Sequence, residues 1–253
     1  MSTGAQISAT AYVLHMRPYK ESSALCDLFT LEHGRLTAVA HGVRGRRGRQ
    51  GGHGGSAPQT FSLLAIELVG KSDLKTLRHA EAMESRWLQG TGLAVGMYLN
   101  ELLVRLLPRD DPHEHLFACY GETLDAVAAA SYDVPLRAFE RVLLEELGYG
   151  LPLEIDHAGL PVVAERNYRL EPGTGFVADV DGAYAGAMLL AIGRGELADL
   201  AVRRAARRLF NAMLAPHLDG RPIMSRMLLQ SPRRSSEAGA GAGPERMGDG
   251  RDG

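Results

Sequence analysis

The sequence predicts a protein in two parts: a small closed barrel of five β-strands, then an α-helical domain with a small inserted hairpin subdomain. Three observations lead to this prediction. Short β-prone runs fill the first 82 residues, apolar residues then recur at helical spacing, and prolines and glycines interrupt that spacing over 149–182. A chain of 253 residues suits one large domain or two smaller ones. We favour two, at 1–82 and 83–230, with a disordered tail at 231–253.

Five apolar, β-prone runs make up the predicted barrel. In chain order they are 8–16, 24–31, 35–43, 61–69 and 74–82. The first ends at Arg17-Pro18, because proline cannot donate to a strand ladder, and Glu32-His33-Gly34 joins the second and third as a hairpin turn. The fifth is compatible with a strand or with the start of a helix. Five short strands favour a closed barrel over a sandwich, and an oligonucleotide-binding (OB) barrel is the natural candidate.

Apolar residues at helical spacing mark four longer segments and one short one. They are 92–107, 113–130, 134–147, 196–214 and 223–230. Pro108 closes the first helix, Asp110-Asp111-Pro112 are expected to cap and begin the second, and Gly148 ends the third. The apolar face of the fourth helix is predicted to consist of Leu197, Ala201, Ala205, Leu209 and Met213.

The interruption at 149–182 predicts a small subdomain built on a hairpin. Tyr168 and Leu170 are placed on one arm, and Phe176 and Val177 on the other. A turn containing Pro172 and two glycines separates the two arms.

The composition is that of an ordinary soluble globular protein, with 45% hydrophobic residues, 23% charged residues and a net charge of −2. The first residues show no signal peptide, and no apolar run approaches the about 20 residues that span a membrane. We therefore expect a cytoplasmic protein without membrane contact. Any binding of nucleic acid must depend on how the charge is distributed.

No catalytic centre or metal site is readable in the residue pattern. Cys26 and Cys119 are expected to be reduced packing residues, and closely spaced ligand pairs for zinc are lacking. The glycine run at 45–51 precedes a strand instead of a helix, which argues against a dinucleotide fingerprint, and no Walker A sequence occurs. We expect no enzyme activity and no cofactor.

Cations concentrate in one window near the N-terminus. Residues 33–66 contain no Asp or Glu but contain Arg35, Arg44, Arg46, Arg47 and Arg49. The planar guanidinium fork matches phosphate oxygens, and the interspersed glycines let the backbone follow an irregular strand. We interpret this segment as a DNA contact, extended by Lys71, Lys75 and Arg78. The alternative is a mobile, solvated loop that binds nothing.

Aromatic side chains that could stack on bases are few in the predicted barrel. They are Tyr12, Tyr19, Phe29 and Phe61. Phe29 and Phe61 lie within apolar runs and are expected in the core.

Residues 11–47 (AYVLHMRPYKESSALCDLFTLEHGRLTAVAHGVRGRR) resemble the N-terminus of the RecO family. Shared features are a strand with Leu-x-x-Arg-Pro, an E-x-S segment, a strand with F-T, a Gly-Arg pair and an A-x-G-x-R exit. Four later stretches follow in the family's order: KTLRHAEA, MYLNELLVRLLPRDDPHEHLF, LRAFERVLLEELGYG and AARRLFNAMLAPHLDGRPIMSR. The resemblance covers about residues 9–230.

This resemblance implies an OB barrel, a helical domain with a small inserted subdomain, and a role as a recombination mediator. Such proteins bind single- and double-stranded DNA, anneal complementary strands and, with RecR, help to load RecA on coated DNA. They also bind the C-terminal tail of single-stranded DNA-binding protein (SSB). Some members carry a cysteine-based zinc site in the subdomain. Residues 120–253 contain no cysteine here, so we expect the hairpin to hold the subdomain without metal.

The third predicted helix is the candidate for binding the SSB tail. Arg137 and Arg141 form one stripe beside Phe139 and Leu143, and together they are predicted to make an apolar groove rimmed by arginine. The simpler reading places Phe139 and Leu143 in the core. The arginines at 203–208 are expected on a solvated face, with a second DNA or partner contact as the alternative.

The sequence thus favours a non-enzymatic DNA-binding mediator. The alternative is a protein-interaction adaptor whose Arg/Gly loop is merely flexible, and salt-dependent DNA binding separates the two.

Overall fold

The computed structural model describes residues 6–43 and 58–226. In this part of the chain five strands close into a barrel in the order β1-β2-β3-β5-β4, which confirms the predicted fold class. The strands are β1 (Gln6–Tyr19), β2 (Ser23–Thr30), β3 (Gly34–Ala40), β4 (Leu63–Val69) and β5 (Leu74–Glu84). The segment left open between strand and helix is therefore a strand. It pairs parallel to β3 and antiparallel to β4.

Side chains alternate between the two faces of each strand, and one set fills the barrel with small and medium apolar groups. This inner set is Ala9, Ala11, Val13, Cys26, Leu28, Leu36, Ala38, Ala40, Leu64, Ile66, Leu68 and Ala80. Burial raises the pKa of the Cys26 thiol to about 11, so this cysteine is an inert packing residue.

Three predicted strand limits were wrong: β3 ends at Ala40 instead of 43, and the limits of β1 and β4 differ for local reasons. β1 continues past Arg17-Pro18 to Tyr19. It pairs with β4 only over Gln6–Tyr12, so at Pro18 only β2 is a neighbour, and a residue without a backbone N–H is tolerated there. β4 begins at Leu63 instead of Phe61, whose φ of 69° takes it out of the extended conformation.

Five α-helices follow the barrel within the described residues. They are α1 (Gly90–Leu106), α2 (Glu114–Ala128), α3 (Asp133–Glu146), α4 (Gly186–Gly193) and α5 (Leu200–Leu214). A 3₁₀ turn (Ala215–Leu218) follows α5, and residues 224–226 begin one more helical turn. The rest of the predicted short helix, and the predicted tail, lie outside the described residues. No described helix combines the length and apolar character needed to span a membrane.

The helix limits differ from the sequence pattern in three places. α4 was missed because its sequence, GAMLLAIG, is apolar on every side and shows no amphipathic period. α5 starts at Leu200 instead of 196, because the Asp199 carboxylate accepts from the N–H groups of Ala201 and Val202. The N-cap of α2 is His113, and Asp110 takes a left-handed φ of 56° before it.

Of the predicted apolar face of α5, Ala205, Leu209 and Met213 are buried as expected, and the buried face of the helix is wider than predicted. The residues that pack inward are Val202, Ala205, Ala206, Leu209, Phe210, Met213 and Leu214. Ala201 is exposed, whereas Leu197 is buried in the segment before the helix.

The insertion between α3 and α4 contains the predicted hairpin. β6 (Asn167–Glu171) pairs with β7 (Gly175–Ala178) and with β8 (Tyr184–Ala185) in a three-stranded sheet of order β7-β6-β8. Tyr168 and Phe176 are buried in the core of the helices, and the Tyr168 hydroxyl accepts from the Val163 N–H at 2.8 Å. Apolar packing thus anchors this sheet. Among the described residues no group of three or more His, Cys, Asp and Glu side chains is arranged to hold a metal.

The barrel and the helices share one core. Tyr12 and Phe29 point outward from the barrel and pack against Phe117 of α2, with ring centroids 4.9 and 5.2 Å apart. Asn100 of α1 donates to the carbonyl of Leu14 at 2.8 Å, which ties a helix directly to β1. The predicted burial of Phe29 is correct. Tyr12 is buried as well and is not accessible to a base.

Candidate nucleic-acid interface and anion pocket

A row of polar and basic side chains crosses the outside of the barrel where the Arg/Gly segment leaves β3. Ala40 faces into the barrel and pairs with the buried Ala24 across β2 and β3, so the residues next to them, Ser23 and His41, lie on the outer side, where His41 is exposed and Ser23 is buried. The Ser23 hydroxyl lies 3.0 Å from His41 Nδ1, and Tyr19 pairs with Ser23. Arg78 follows Leu77, the residue that pairs with Ala40. We call Arg17, Tyr19, His41 and Arg78 the basic row.

Arg78 is the only predicted lysine or arginine that the described structure places in this row. Lys75 pairs with Ala38, two residues before Ala40 along β3, and Lys71 lies before β5, which begins at Leu74 opposite Thr37. Arg44, Arg46, Arg47 and Arg49 lie outside the described residues. The segment that contains them begins directly after Val43, three residues beyond Ala40.

Arg35, a predicted DNA contact, lies at the joint between barrel and helices. Its Nε donates to the Leu107 carbonyl at 3.0 Å, and its own carbonyl accepts from the Asp110 N–H at 3.2 Å. Burial, together with the nearby Arg109, lowers the pKa of the Arg35 guanidinium. The structure thus shows Arg35 holding the two parts of the chain together.

Sequence reasoning missed Arg17 because Arg17-Pro18 was taken as the end of a strand. Within the longer β1, Arg17 is exposed two residues before Tyr19 and shares its face. The Leu-x-x-Arg-Pro stretch itself was the signal that could have found it.

The second candidate site is an open cavity of about 310 Å³ between α1, α3 and α5. Five arginines line it: Arg137, Arg203, Arg204, Arg207 and Arg226. Among the described residues that line it, Asp133 and Glu140 are the only carboxylates, and the apolar part of the wall includes Val95, Leu136 and Leu200. The cavity therefore combines excess positive charge with apolar surface. We call it the arginine pocket.

A buried network fixes the base of the arginine pocket. Glu140 is fully buried, accepts from the Tyr98 hydroxyl at 2.6 Å and lies 2.5 Å from an Arg137 guanidinium nitrogen. Arg226 donates to the Tyr98 hydroxyl at 2.9 Å and also to the Asn211 side chain. Burial raises the pKa of Glu140 above its ordinary value although Arg137 and the Tyr98 hydrogen bond oppose the shift.

The prediction of a binding groove on α3 was wrong. Phe139 and Leu143 are completely buried, so they are core residues and not available to a partner. Arg141 pairs with Glu145 at 2.7 Å. It also donates to the Gly193 carbonyl at 2.9 Å, and this hydrogen bond caps the C-terminus of α4. Of the four predicted residues, only Arg137 lines the pocket.

Three arginines of α5 line this pocket: Arg203, Arg204 and Arg207. Arg204 and Arg207 are exposed, as expected for a solvated face, and Arg203 is half-buried. Arg203 is held at the entrance by the carbonyls of Leu197 and Ala198. The i, i+4 spacing of the arginines was visible in the sequence, but their neighbours on α1 and α3 were not.

Glu101 of α1 anchors the segment that carries Arg226. Its carboxylate accepts from the N–H groups of Met224 and Ser225, each at 2.9 Å, and from the Ser225 hydroxyl at 2.7 Å. Burial alone would raise the pKa of Glu101, but these hydrogen bonds and one from Arg105 outweigh it and lower the pKa.

Glu101→Gln is expected to reduce the free energy of unfolding at pH 7 by about 1–2 kcal/mol, because hydrogen bonds to a charged acceptor are lost. The folded pKa lies below the unfolded one, so the stabilisation by Glu101 is present above the unfolded value and is lost as pH falls through the folded value. In urea unfolding the difference between the two proteins should therefore shrink as pH falls below the ordinary glutamate pKa of about 4.3, and it should vanish once the pH is below the folded pKa of Glu101. Glu122→Gln, at an exposed position of α2, is the control. If Glu101→Gln lowered the free energy of unfolding by the same amount at pH 7 and at acidic pH, this role of the Glu101 carboxylate would be contradicted.

The chain matches the family description "Recombination protein O N terminal" over residues 1–86 and "Recombination protein O C terminal" over residues 88–227. It is 48% identical over 230 residues to the DNA repair protein RecO of Stutzerimonas stutzeri, covering 89% of this chain and 94% of that protein. It is 43% identical over 229 residues to DNA repair protein RecO of Pseudomonas aeruginosa, covering 88% and 95%. The corresponding Nitrosococcus oceani protein is 45% identical over 233 residues, covering 88% and 93%. The two matches and these identities show that the chain belongs to the RecO family of DNA repair proteins.

Proposed function

We propose that this protein is a non-enzymatic recombination mediator. In this proposal it binds single- and double-stranded DNA, anneals complementary strands and, with RecR, helps to load RecA on DNA coated by SSB. Its membership of the RecO family supports a role in DNA repair. We further propose a division at 1–82 and 83–230, with the insertion at 149–182, and a cytoplasmic protein associated with the nucleoid.

The observation that carries the DNA-binding part is the basic row beside the exit of the Arg/Gly segment. Arg17 and Arg78 are exposed on the outside of the barrel, and Tyr19, two residues after Arg17 on β1, pairs with Ser23. Cations neutralise phosphates and release counterions, while an accessible aromatic ring stacks on a base. The arginines after Val43 extend the same surface in this proposal.

Strand annealing follows from the same charges. Two complementary strands repel each other through their phosphates, and the repulsion falls when cations of the barrel neutralise part of that charge. Contacts to phosphate carry no sequence information, so they leave the base edges available for pairing.

We propose that the arginine pocket binds the C-terminal tail of SSB. An acidic peptide that ends in an aromatic residue and a free carboxylate needs both cations and apolar surface. The pocket supplies cations at its rim, where Arg204 and Arg207 are exposed, and an apolar wall that includes Leu136 and Leu200. This location replaces the groove predicted on α3.

Changing Arg204 and Arg207 together to Glu is expected to weaken tail binding by about 10- to 100-fold, because attraction at the rim becomes repulsion. Calorimetry with a synthetic peptide of several aspartates and a C-terminal phenylalanine measures this. Arg208→Glu changes an exposed neighbour that does not line the pocket, and it should keep wild-type affinity. Equal loss in both variants would contradict the assignment. Arg137→Glu is unsuitable, because it would bury a second carboxylate beside Glu140.

The experiment that tests the DNA-binding proposal is fluorescence anisotropy of a labelled single-stranded oligonucleotide at several salt concentrations. A steep loss of affinity with salt supports the mediator. No binding at low salt would favour the alternative, an adaptor that acts through its helices alone.

A further inference from the structure

One residue of β1 is extra in the pairing of β1 with β2. Val13 pairs with Leu28. The next pair joins His15 to Asp27, so two steps along β1 match one step along β2, and Leu14 is the extra residue. Such a β-bulge shifts the alternation of side chains by one position for the rest of the strand.

The bulge decides which side chains in the second half of β1 face outward. Met16 packs against the inner set of the barrel, and Arg17 is exposed. If regular pairing continued from Val13, Arg17 would instead lie opposite Ala24, a buried residue whose partner on β3 faces into the barrel. The bulge therefore places Arg17, and with it Tyr19 two residues later, on the outside of the barrel.

The helices hold the bulge by two contacts. The Leu14 side chain is buried in the core that the barrel and the helices share, and the Leu14 carbonyl accepts from the Asn100 amide at 2.8 Å. The ladder between β1 and β4 ends at Tyr12, so beyond it a helix, instead of a strand, supplies the partner of this carbonyl. A side chain of α1 thus stabilises the point at which β1 changes its alternation.

The two hydrogen bonds of Asn100 fix how its amide is turned. The amide oxygen accepts from the Tyr120 hydroxyl at 2.5 Å, and the amide nitrogen donates to Leu14. A carbonyl cannot donate, so the reversed amide would bring two oxygens together and lose the bond to Leu14. Asn100 is 6% exposed and Tyr120 is completely buried, so bulk water does not replace either bond.

We infer that Asn100 is a positioning residue for DNA binding: by holding the bulge at Leu14, it makes Arg17 and Tyr19 face outward in the basic row. This inference rests on the proposed function, because it concerns how the proposed DNA surface is formed. A buried side chain among the helices then controls how many cations the barrel presents to a DNA strand.

Asn100→Leu tests this role, because it removes both hydrogen bonds at nearly constant side-chain volume. At about 50 mM salt the variant should bind a labelled single-stranded oligonucleotide about 5- to 10-fold more weakly, and the slope of log affinity against log salt should fall by about 0.7, the share of one phosphate contact. Arg17→Ala should have the same effects by itself. It should add nothing in the Asn100→Leu protein, in which Arg17 no longer faces the strand.

Tyr120→Phe is the matched control. It removes the other hydrogen bond of the same amide and leaves the donation to Leu14 in place. Both Tyr120→Phe and Asn100→Leu should lower the free energy of unfolding, but only Asn100→Leu should change DNA affinity and its salt slope. Alanine replacement of the four arginines in the Arg/Gly segment should weaken binding by the same factor in wild type and in Asn100→Leu.

Thiol labelling reports the facing of β1 without DNA. A thiol introduced by Arg17→Cys should react rapidly in the otherwise wild-type protein, and one introduced by Met16→Cys should react slowly, because reactivity follows exposure. Adding Asn100→Leu should reverse the order of these two rates. The protein without an introduced thiol gives the background from Cys26 and Cys119.

If circular dichroism shows that Asn100→Leu does not fold, Asn100→Asp answers the same question. Its carboxyl has the shape of the amide but donates to Leu14 only when it is protonated. The DNA affinity of Asn100→Asp should therefore fall about 5- to 10-fold further than that of wild type between acidic and alkaline pH, as the carboxyl ionises and one phosphate contact is lost.

Three results would overturn the inference: unchanged affinity and salt slope in folded Asn100→Leu, a full additional loss when Arg17→Ala is combined with it, or an equal loss of affinity in Tyr120→Phe. The last result would reduce the effect to general destabilisation. If the wild-type protein binds no DNA, the proposed function fails, whereas thiol labelling still decides whether Asn100 sets the facing of Arg17.

Discussion

Replacing Arg44, Arg46, Arg47 and Arg49 with alanine is expected to weaken binding of single-stranded DNA by about 10- to 100-fold at low salt. Each phosphate contact releases counterions and adds about 0.7 to the slope of log affinity against log salt. If all four arginines contact phosphate, the slope should fall by roughly 3. The glycine-rich sequence around them offers little apolar surface to bury, so the unfolding midpoint should not change.

Anisotropy titrations of wild type and variant over a series of salt concentrations give both quantities. The matched control replaces four exposed arginines beyond the barrel, Arg166, Arg169, Arg194 and Arg221. If removal of the four arginines changes neither affinity nor slope, the segment does not bind DNA. If control and variant lose affinity equally, net charge alone is responsible and the local assignment fails.

The barrel could be predicted because the alternation of side chains along a strand and the residues of a hairpin turn depend only on neighbouring positions in the sequence. Glu32-His33-Gly34 specifies a turn by itself, and Gly34 takes a φ of 64° there. Whether 74–82 is a strand or the start of a helix was decided by its pairing with β3 and β4, which lie elsewhere in the sequence. The limit of β1 was missed for the same reason, since Pro18 is tolerated only where β4 is no longer a neighbour.

The arginine pocket could not be predicted because its base is assembled from distant parts of the chain. Tyr98 and Glu140 are 42 residues apart, and Tyr98 and Arg226 are 128 residues apart. Residue type and spacing on α3 alone suggested a groove containing Phe139, which packing placed in the core. Arginines at i, i+4 on α5 indicated an exposed stripe, and only tertiary contacts turn part of that stripe toward α1 and α3.

A fully buried carboxylate beneath a pocket proposed to bind an acidic tail needs a physical reason. Its charge opposes the proposed ligand, and its burial is unfavourable enough to raise its own pKa. The contacts supply a reason: Glu140 holds Arg137, which has its side chain 9% exposed, and fixes the Tyr98 hydroxyl that receives Arg226. We therefore interpret Glu140 as the group that allows arginines to lie deep in the helical core.

Glu140→Ala is accordingly expected to reduce the free energy of unfolding by about 3–5 kcal/mol, because it leaves a buried guanidinium without its counter-charge. Urea unfolding at pH 7 measures the change. Glu145→Ala removes the partner of Arg141 in an exposed i, i+4 pair and should cost no more than about 1 kcal/mol. Glu140→Gln keeps an acceptor for the Tyr98 hydroxyl, so its loss of unfolding free energy should lie between those of Glu140→Ala and Glu145→Ala. If Glu140→Ala cost no more than Glu145→Ala, Arg137 would have to find another partner or reach water, and the pocket's base would not depend on this carboxylate.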